Sequence, residues 1–280
     1  MYLREFIIKS LEEDVGPGDY SSLSCIDHDK EGKAQLIIKE EGVLAGVELA
    51  ELIFKEVEPQ IFFDKKISDG ALVKKGDVAF IVNGKVLTLL KAERLVLNCM
   101  QRMSGIATTT HKYANAIKHT KAKVLDTRKT TPLNRLIEKW GVRLGGGVNH
   151  RFGLYDMIMI KDNHVDFAGG IKQAIETANR YKRQNNLNID IEIETRSLEE
   201  VKSVLATGNV KRIMLDNFSP ALIKEAVALI SGKFEIEASG GITIDNIKEY
   251  AEAGVDFISV GALTHSVKSL DLSLKALSKT

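Results

Sequence analysis

Residues 188–241 read NIDIEIETRSLEEVKSVLATGNVKRIMLDNFSPALIKEAVALISGKFEIEASGG, and their rhythm decides the fold class. Short apolar, β-branched runs (NIDIEIE, VKRIMLD, KFEIEAS) alternate with amphipathic stretches (SLEEVKSVLAT, SPALIKEAVALIS). Strand-like runs separated by helical ones imply parallel strands joined by crossover helices, because parallel neighbours cannot be linked by a tight turn. Working outward, AKVLD and YDMIMI precede this block and VDFISVG follows it. Six such units are too few for a closed eight-stranded barrel and suit an open or incomplete one.

The first part of the chain has another style. From about residue 33 to 90, short strand-like runs (AQLIIKE, QIFFDKKI, VAFIVNG, VLTLL) surround one helical stretch near Val47–Val57, with glycines 70, 76 and 84 marking turns. Antiparallel pairing is expected there. A long helical region follows, expected as two helices broken near Ser104-Gly105. The fold class is therefore α/β: an N-terminal α/β sandwich domain over 1–105, an open, incomplete parallel α/β barrel over 106–265, and a C-terminal segment 266–280 returning to the first domain.

With 280 residues the chain can bury a sizeable core. A net charge of +1 argues against a nucleic-acid-coating surface. No apolar run approaches the roughly 20 residues that span a bilayer. Cys25 and Cys99 are far apart and fit neither a disulfide framework nor a metal pair, which suggests a reducing, cytoplasmic setting.

Each strand-like run of the barrel ends in polar or glycine residues. AKVLD delivers Thr127, Arg128 and Lys129, and MIMI delivers Lys161, Asp162, Asn163 and His164. NIDIEIE offers Glu192 and Glu194, with Glu194 preferred because it is nearer the strand end; RIMLD offers Asp216 and Asn217. In parallel barrels these carboxyl ends meet on one face, where active sites sit. The last two tips carry Ser239-Gly240-Gly241 and Gly261, candidates for a phosphate site, with a helix expected from near Thr243. GVRLGGGVNHR reads as a helix end followed by a mobile loop that carries His150 and Arg151 to the same pocket. The cations Arg128, Lys129, His150, Arg151 and Lys161 would favour a polyanionic substrate. Glu194 and Asp216 would suit Mg²⁺ or a cationic intermediate. His28, His111, His119 and His265 are scattered and read as surface or packing residues rather than zinc ligands. Lys161 beside Asp162 and His164 would also suit a Schiff-base lysine.

In order along the chain, ERLVLNCMQRMSGIAT, DTRKTTP, GGGVNHR, MIKDNH, EIE, MLDN, EASGGI and SVGALTHS resemble the quinolinate phosphoribosyltransferase family. That resemblance implies transfer of a phosphoribosyl group from phosphoribosyl pyrophosphate to quinolinate with loss of CO2, in NAD biosynthesis, with Mg²⁺, in a homodimer or higher homo-oligomer. It implies that Arg128, His150, Arg151 and Lys161 bind the quinolinate carboxylates, with Arg94 reaching in from a neighbouring subunit. Lys129, Glu194 and Asp216 would surround the ribosyl centre and its metal, and Ser239, Gly240, Gly241 and Gly261 the 5′-phosphate.

Overall fold

The computed structural model describes residues 3–277, and the chain divides into two compact units. The first comprises residues 1–111, 132–146 and 267–280, the second residues 112–131 and 147–266.

In the first unit, helices α1 (Leu3–Val15) and α2 (Tyr20–Cys25) lead into β1 (Glu31–Ile38) and β2 (Gly42–Val43). Helix α3 (Val47–Val57) follows, then β3 (Phe62–Lys65), β4 (Leu72–Val73), β5 (Val78–Lys85) and the long helix α4 (Val86–Ala116), which lies in this unit through His111. Strands β1, β3 and β5 pair antiparallel, as expected, and the strand at Leu272–Leu277 pairs antiparallel with the other edge of β1. The rest of the C-terminal segment, 278–280, lies outside the described residues. One face of this sheet alternates into the core (Ala34, Leu36 and Ile38 on β1), where α3 contributes Leu49, Ile53 and Phe54. Phe54, Phe63 and Phe80 stack there, with Phe63 and Phe80 centroids 4.5 Å apart.

Two expectations for α4 are corrected. VLTLL (86–90) opens the helix instead of forming a strand, because buried Leu89, Ala92, Val96, Met100, Met103 and Ala107 recur at helical spacing without interruption. Nor does the helix break at Ser104-Gly105. Ser104 Oγ accepts the N–H of Ala45 (2.9 Å) and donates to its carbonyl (3.1 Å). A side chain on Gly105 would collide with the backbone of Lys268, so this glycine allows a close crossing.

Helix α5 (Arg135–Leu144) also belongs to the first unit, so the division is not the single cut near residue 106 drawn from the sequence. Ile137 joins the hydrophobic core of that unit, and fully buried Glu138 is paired with Arg102 at 2.9 Å. A linear reading misses this because helix periodicity shows that α5 has an apolar face, not which core takes it.

The second unit holds a six-stranded parallel sheet: β6 (Lys123–Leu125), β7 (Met157–Ile160), β8 (Asp190–Thr195), β9 (Arg212–Asp216), β10 (Glu235–Ser239) and β11 (Phe257–Ser259). The spatial order is β6-β11-β10-β9-β8-β7. Strands β6 and β7, consecutive in the chain, are the two edges, so the barrel is open. On the outer side of β6, Val148 bridges Leu125. Crossovers run through α6 (Asp162–Ala168) and α7 (Ile171–Gln184), α8 (Leu198–Thr207), α9 (Pro220–Ile230) and α10 (Ile247–Glu252), and α11 (Ala262–His265) follows β11. Ser197 and Ser219 cap α8 and α9, each accepting a backbone N–H, which starts both helices directly after a strand tip. The strand β12 is the Leu272–Leu277 segment described above. Among the described residues no helix is long and apolar enough to cross a membrane.

Candidate active site

At the carboxyl ends of these parallel strands lies a cavity of about 700 Å³, built wholly from the second unit. Most of the residues singled out in the barrel line it: Arg128 and Lys129 after β6, His150 and Arg151 before β7, Lys161 after β7, Glu194 on β8, Asp216 on β9, Ser239, Gly240 and Gly241 after β10, and Gly261 after β11; Asp162, Asn163, His164 and Glu192 are not among the lining residues. Arg94 is exposed on α4 in the first unit and is not among the lining residues.

The loops are tied down by polar contacts. Lys129 N–H donates to Thr127 Oγ1 (3.0 Å), and Thr264 Oγ1 donates to the Lys129 carbonyl (2.8 Å). Gly261 leaves room for Lys129 and His265, whose side chains any Cβ there would press. The GGGVNHR loop is anchored by Asp126, which is fully buried and accepts from His150 N–H (2.9 Å) and Asn149 Nδ2 (2.5 Å). Asn217 N–H donates to the Ser239 carbonyl (2.8 Å), and its Nδ2 donates to Asp216 (2.7 Å), joining the tips of β9 and β10. Gly240 has φ +98 with its α-carbon against Asn217, and Gly241 has φ +62. The helix expected from Thr243 begins at Ile247, because Asn246 Oδ1 accepts the Thr243 N–H (2.8 Å) and holds 243–246 as a turn.

Charge is sorted by depth. Arg128 and Arg151 are close enough that, after burial, the Arg128 guanidinium is the next cause holding Arg151 below its ordinary pKa. A cationic cluster of this kind favours an anionic ligand. Lys161 Nζ pairs with Glu194 at 3.0 Å. That ammonium is ion-paired and half exposed, unlike the desolvated amine that a Schiff-base lysine needs.

Below lies a second layer. His150 Nε2 is 2.9 Å from Glu192 and 3.4 Å from Glu237, and Arg212 pairs with Glu237 at 2.8 Å. Burial opposes the charge of His150, but the two carboxylates outweigh it and raise its pKa to about 9. Burial and then the neighbouring Glu237 push Glu192 up to about 7. Glu237 moves the other way: burial resists its charge, while His150, Ser259 and Arg212 together outweigh that. His150, Glu192 and Glu237 bring cation-ligand atom types within 4.8 Å of one another. Arg212 and His150 already supply the positive charge there, so the cluster is an ion-pair network with no need of a metal.

A family model described as the quinolinate phosphoribosyl transferase C-terminal domain matches residues 106–275, and that of the N-terminal domain matches 19–104. The chain belongs to the quinolinate phosphoribosyltransferase family. It is 47% identical to a chloroplastic nicotinate-nucleotide pyrophosphorylase of Arabidopsis thaliana, covering 98% of this chain and 82% of that one. It is 40% identical to a probable nicotinate-nucleotide pyrophosphorylase of Bacillus subtilis, over 98% and 93% of the two chains. The crystal structure of NadC from Streptococcus pyogenes is similar with a TM-score of 0.92 and 40% identity, over 99% of this chain and 97% of that one.

Within this quinolinate phosphoribosyltransferase fold, several cavity residues escaped the sequence reading. His265, taken as a surface or packing residue, lines the cavity, as do Glu237 and Ser259, while Asn217, expected at the tip of β9, lines it as read. Glu237 and Ser259 lie inside strands, where no local pattern separates a cavity-facing polar residue from a solvent-facing one.

Proposed function

We propose that this chain is a quinolinate phosphoribosyltransferase that joins quinolinate to phosphoribosyl pyrophosphate, giving nicotinate mononucleotide, pyrophosphate and CO2 for NAD biosynthesis. The observation that carries the reading is the convergence of the barrel's cations, its carboxylates and its glycine turns on one cavity. A dicarboxylate and a polyphosphate together need such a cationic enclosure.

Arg128, His150, Arg151 and Lys161 hold the two carboxylates of quinolinate, with the planar guanidinium forks suited to bidentate contact. Backbone N–H groups around Ser239, Gly240, Gly241 and Gly261 receive the 5′-phosphate, where glycine permits close approach. Lys129 stands beside Gly261, placed to steady the ribosyl phosphate chain. The pyridine nitrogen attacks the anomeric carbon as the bond to pyrophosphate breaks, and positive charge builds at that carbon. Glu194 and Asp216 stabilise that charge from two adjacent strands. The quaternised ring then accepts the electron pair released at C2 as CO2 departs, and a proton replaces it. The protein need only hold the ring and its remaining carboxylate.

Magnesium fits this donor set: two cavity carboxylates on adjacent strands leave most coordination positions to water and phosphate oxygens, as Mg²⁺ prefers. Glu194 and Asp216 would hold it, and when bound it supplies charge neutralisation for the pyrophosphate. We place the enzyme as a homodimer or larger homo-oligomer in which Arg94 of the partner subunit completes the acceptor pocket. The exposure of Arg94 on α4 supports this. Cys25 and Cys99 are unpaired, in keeping with a cytoplasmic setting.

Replacing Arg128 with alanine tests the assignment. Loss of one charge-stabilising donor is expected to lower kcat/KM for quinolinate at least ~10²-fold. Turnover near that of the wild type would remove Arg128 from the acceptor site and the reading with it.

A further inference from the structure

The buried layer beneath the cavity has no part in the steps above, yet it touches one residue that does. His150 has a side chain only 5% exposed, and its Nε2 faces Glu192 and Glu237, both fully buried. Neither carboxylate comes from a solvent-facing loop: they lie on β8 and β10. Glu237 accepts the Ser259 hydroxyl from β11 and the Arg212 guanidinium from β9. Arg212 in turn is fixed by Glu235 (3.1 Å) and by the Phe257 ring, 4.0 Å from its centroid. Four adjacent strands thus build a charged bed that meets the cavity at the imidazole.

We propose that Glu192, braced by Glu237 and Arg212, is a positioning residue that fixes His150 in its Nε2–H orientation and lets it meet the acceptor's carboxylate as an imidazolium. The inference rests on the dicarboxylate reading of the cavity given above. Nδ1 accepts the backbone N–H of Arg151 at 2.6 Å, so in the neutral ring the proton sits on Nε2, the atom within ion-pair distance of Glu192 at 2.9 Å though not aligned as a hydrogen bond. A carboxylate partner at one ring nitrogen raises the basicity of the other. Below the His150 midpoint Nδ1 also carries a proton, gives up its contact with the Arg151 N–H, and donates to a substrate carboxylate as a charge-assisted hydrogen bond. The direction of the His150 shift, upward to about 9, accords with this geometry. The other charges near this layer are Arg212, paired with Glu237, Arg151, whose guanidinium feels Glu192, and Asp126, which accepts the His150 backbone N–H at 2.9 Å. Burial opposes a charge on the imidazole, and the two carboxylates beneath it outweigh that.

The test compares Glu192→Gln, which keeps length but loses charge, with Glu192→Asp, which keeps charge, in the full chain. Three measurements are taken for each: KM for quinolinate and for phosphoribosyl pyrophosphate from pH 6 to 8, and an NMR titration of the histidine rings, with His150 assigned by its loss in His150→Gln. Glu192→Gln is expected to raise the quinolinate KM about tenfold over wild type at pH 8, the scale of one charge-assisted hydrogen bond. The excess should shrink toward pH 6, where His150 protonates unaided. Its KM for phosphoribosyl pyrophosphate should stay within about twofold, and Glu192→Asp should resemble wild type. The His150 midpoint should lie above pH 8 in wild type and fall by at least about one unit in Glu192→Gln. An unchanged midpoint, a KM ratio equal at pH 6 and 8, a fall in kcat alone, or a parallel rise in both KM values would overturn the proposal. If wild type does not turn over quinolinate, the functional reading fails, and the titration still decides the role of Glu192. If Glu192→Gln does not fold, the wild-type midpoint decides alone, and a value at or below the ordinary histidine range of about 6.5 rejects the proposal.

Discussion

Replacing Arg212 with methionine removes the one fixed cation from the buried layer while keeping most of the side chain's volume. The guanidinium contacts Glu237 at 2.8 Å and Glu235 at 3.1 Å, and it lies 4.0 Å from the Phe257 ring centroid. Without it, Glu192 and Glu237 share an interior site in which only His150 and the Ser259 hydroxyl remain as partners. Breaking a buried pair by deleting one partner costs about 3–5 kcal/mol, because an uncompensated charge stays behind. Lost cation–π contact adds up to roughly 1 kcal/mol. For a chain of this size, that corresponds to a fall in melting temperature of roughly 10 °C near pH 8.

The pH dependence carries the sharper sign. Glu192 is raised to about 7, above its unfolded value, so the folded state takes up the extra proton and gains stability as pH falls through that value. In Arg212→Met, protonating Glu192 removes one of the two clashing charges. The deficit relative to wild type should therefore be largest above pH 7 and clearly smaller at pH 5.5. Thermal unfolding followed by circular dichroism at both pH values measures it. A variant as stable as wild type at pH 8, or a deficit that grows on acidification, would refute the account of the buried layer.

Gly240→Ala should cost roughly 1–3 kcal/mol, since the position has φ +98 and a Cβ there would lie 2.9 Å from the backbone nitrogen of Asn217. Because that strain sits in the expected 5′-phosphate loop, KM for phosphoribosyl pyrophosphate should rise more than KM for quinolinate in steady-state assays. Mixing Arg94→Ala chains with Lys129→Ala chains should restore part of the activity that each alone lacks, because one composite site in the mixed oligomer is intact. Verified mixed oligomers without any rescue would place Arg94 outside the site.

Much of the second unit is legible in the sequence because punctuation and periodicity agree there. Each parallel strand is a short apolar run, each crossover an amphipathic stretch, and the polar residues after each run fall on the carboxyl face by topology alone. What escapes is whatever depends on a distant partner. Glu192 and Glu194 alternate with Ile191 and Ile193 on one strand, a pattern that reads as a half-solvated sheet face. Only the pairing of β8 with β9 and β9 with β10 sets Arg212 opposite Glu192 and Glu235 and turns that face into a buried charge network. Asp126 looks like one more polar strand tip until the Asn149–His150 backbone is seen bound to it. Gly105 looks like a helix breaker because glycine has low helix propensity, whereas its role is to let another segment cross against the helix. Local rules place each residue on its element; long-range contacts decide what a charge or a glycine does there.

Substrate choice tests the central claim most directly. Purified protein with Mg²⁺ and phosphoribosyl pyrophosphate is given quinolinate in one reaction and nicotinate in another, and nucleotide and CO2 are quantified. The account predicts nicotinate mononucleotide and CO2 in equal amounts from quinolinate and no product from nicotinate, which lacks the second carboxylate that the cationic cavity is built to hold. Equal turnover of both acids, or product from neither, would contradict it.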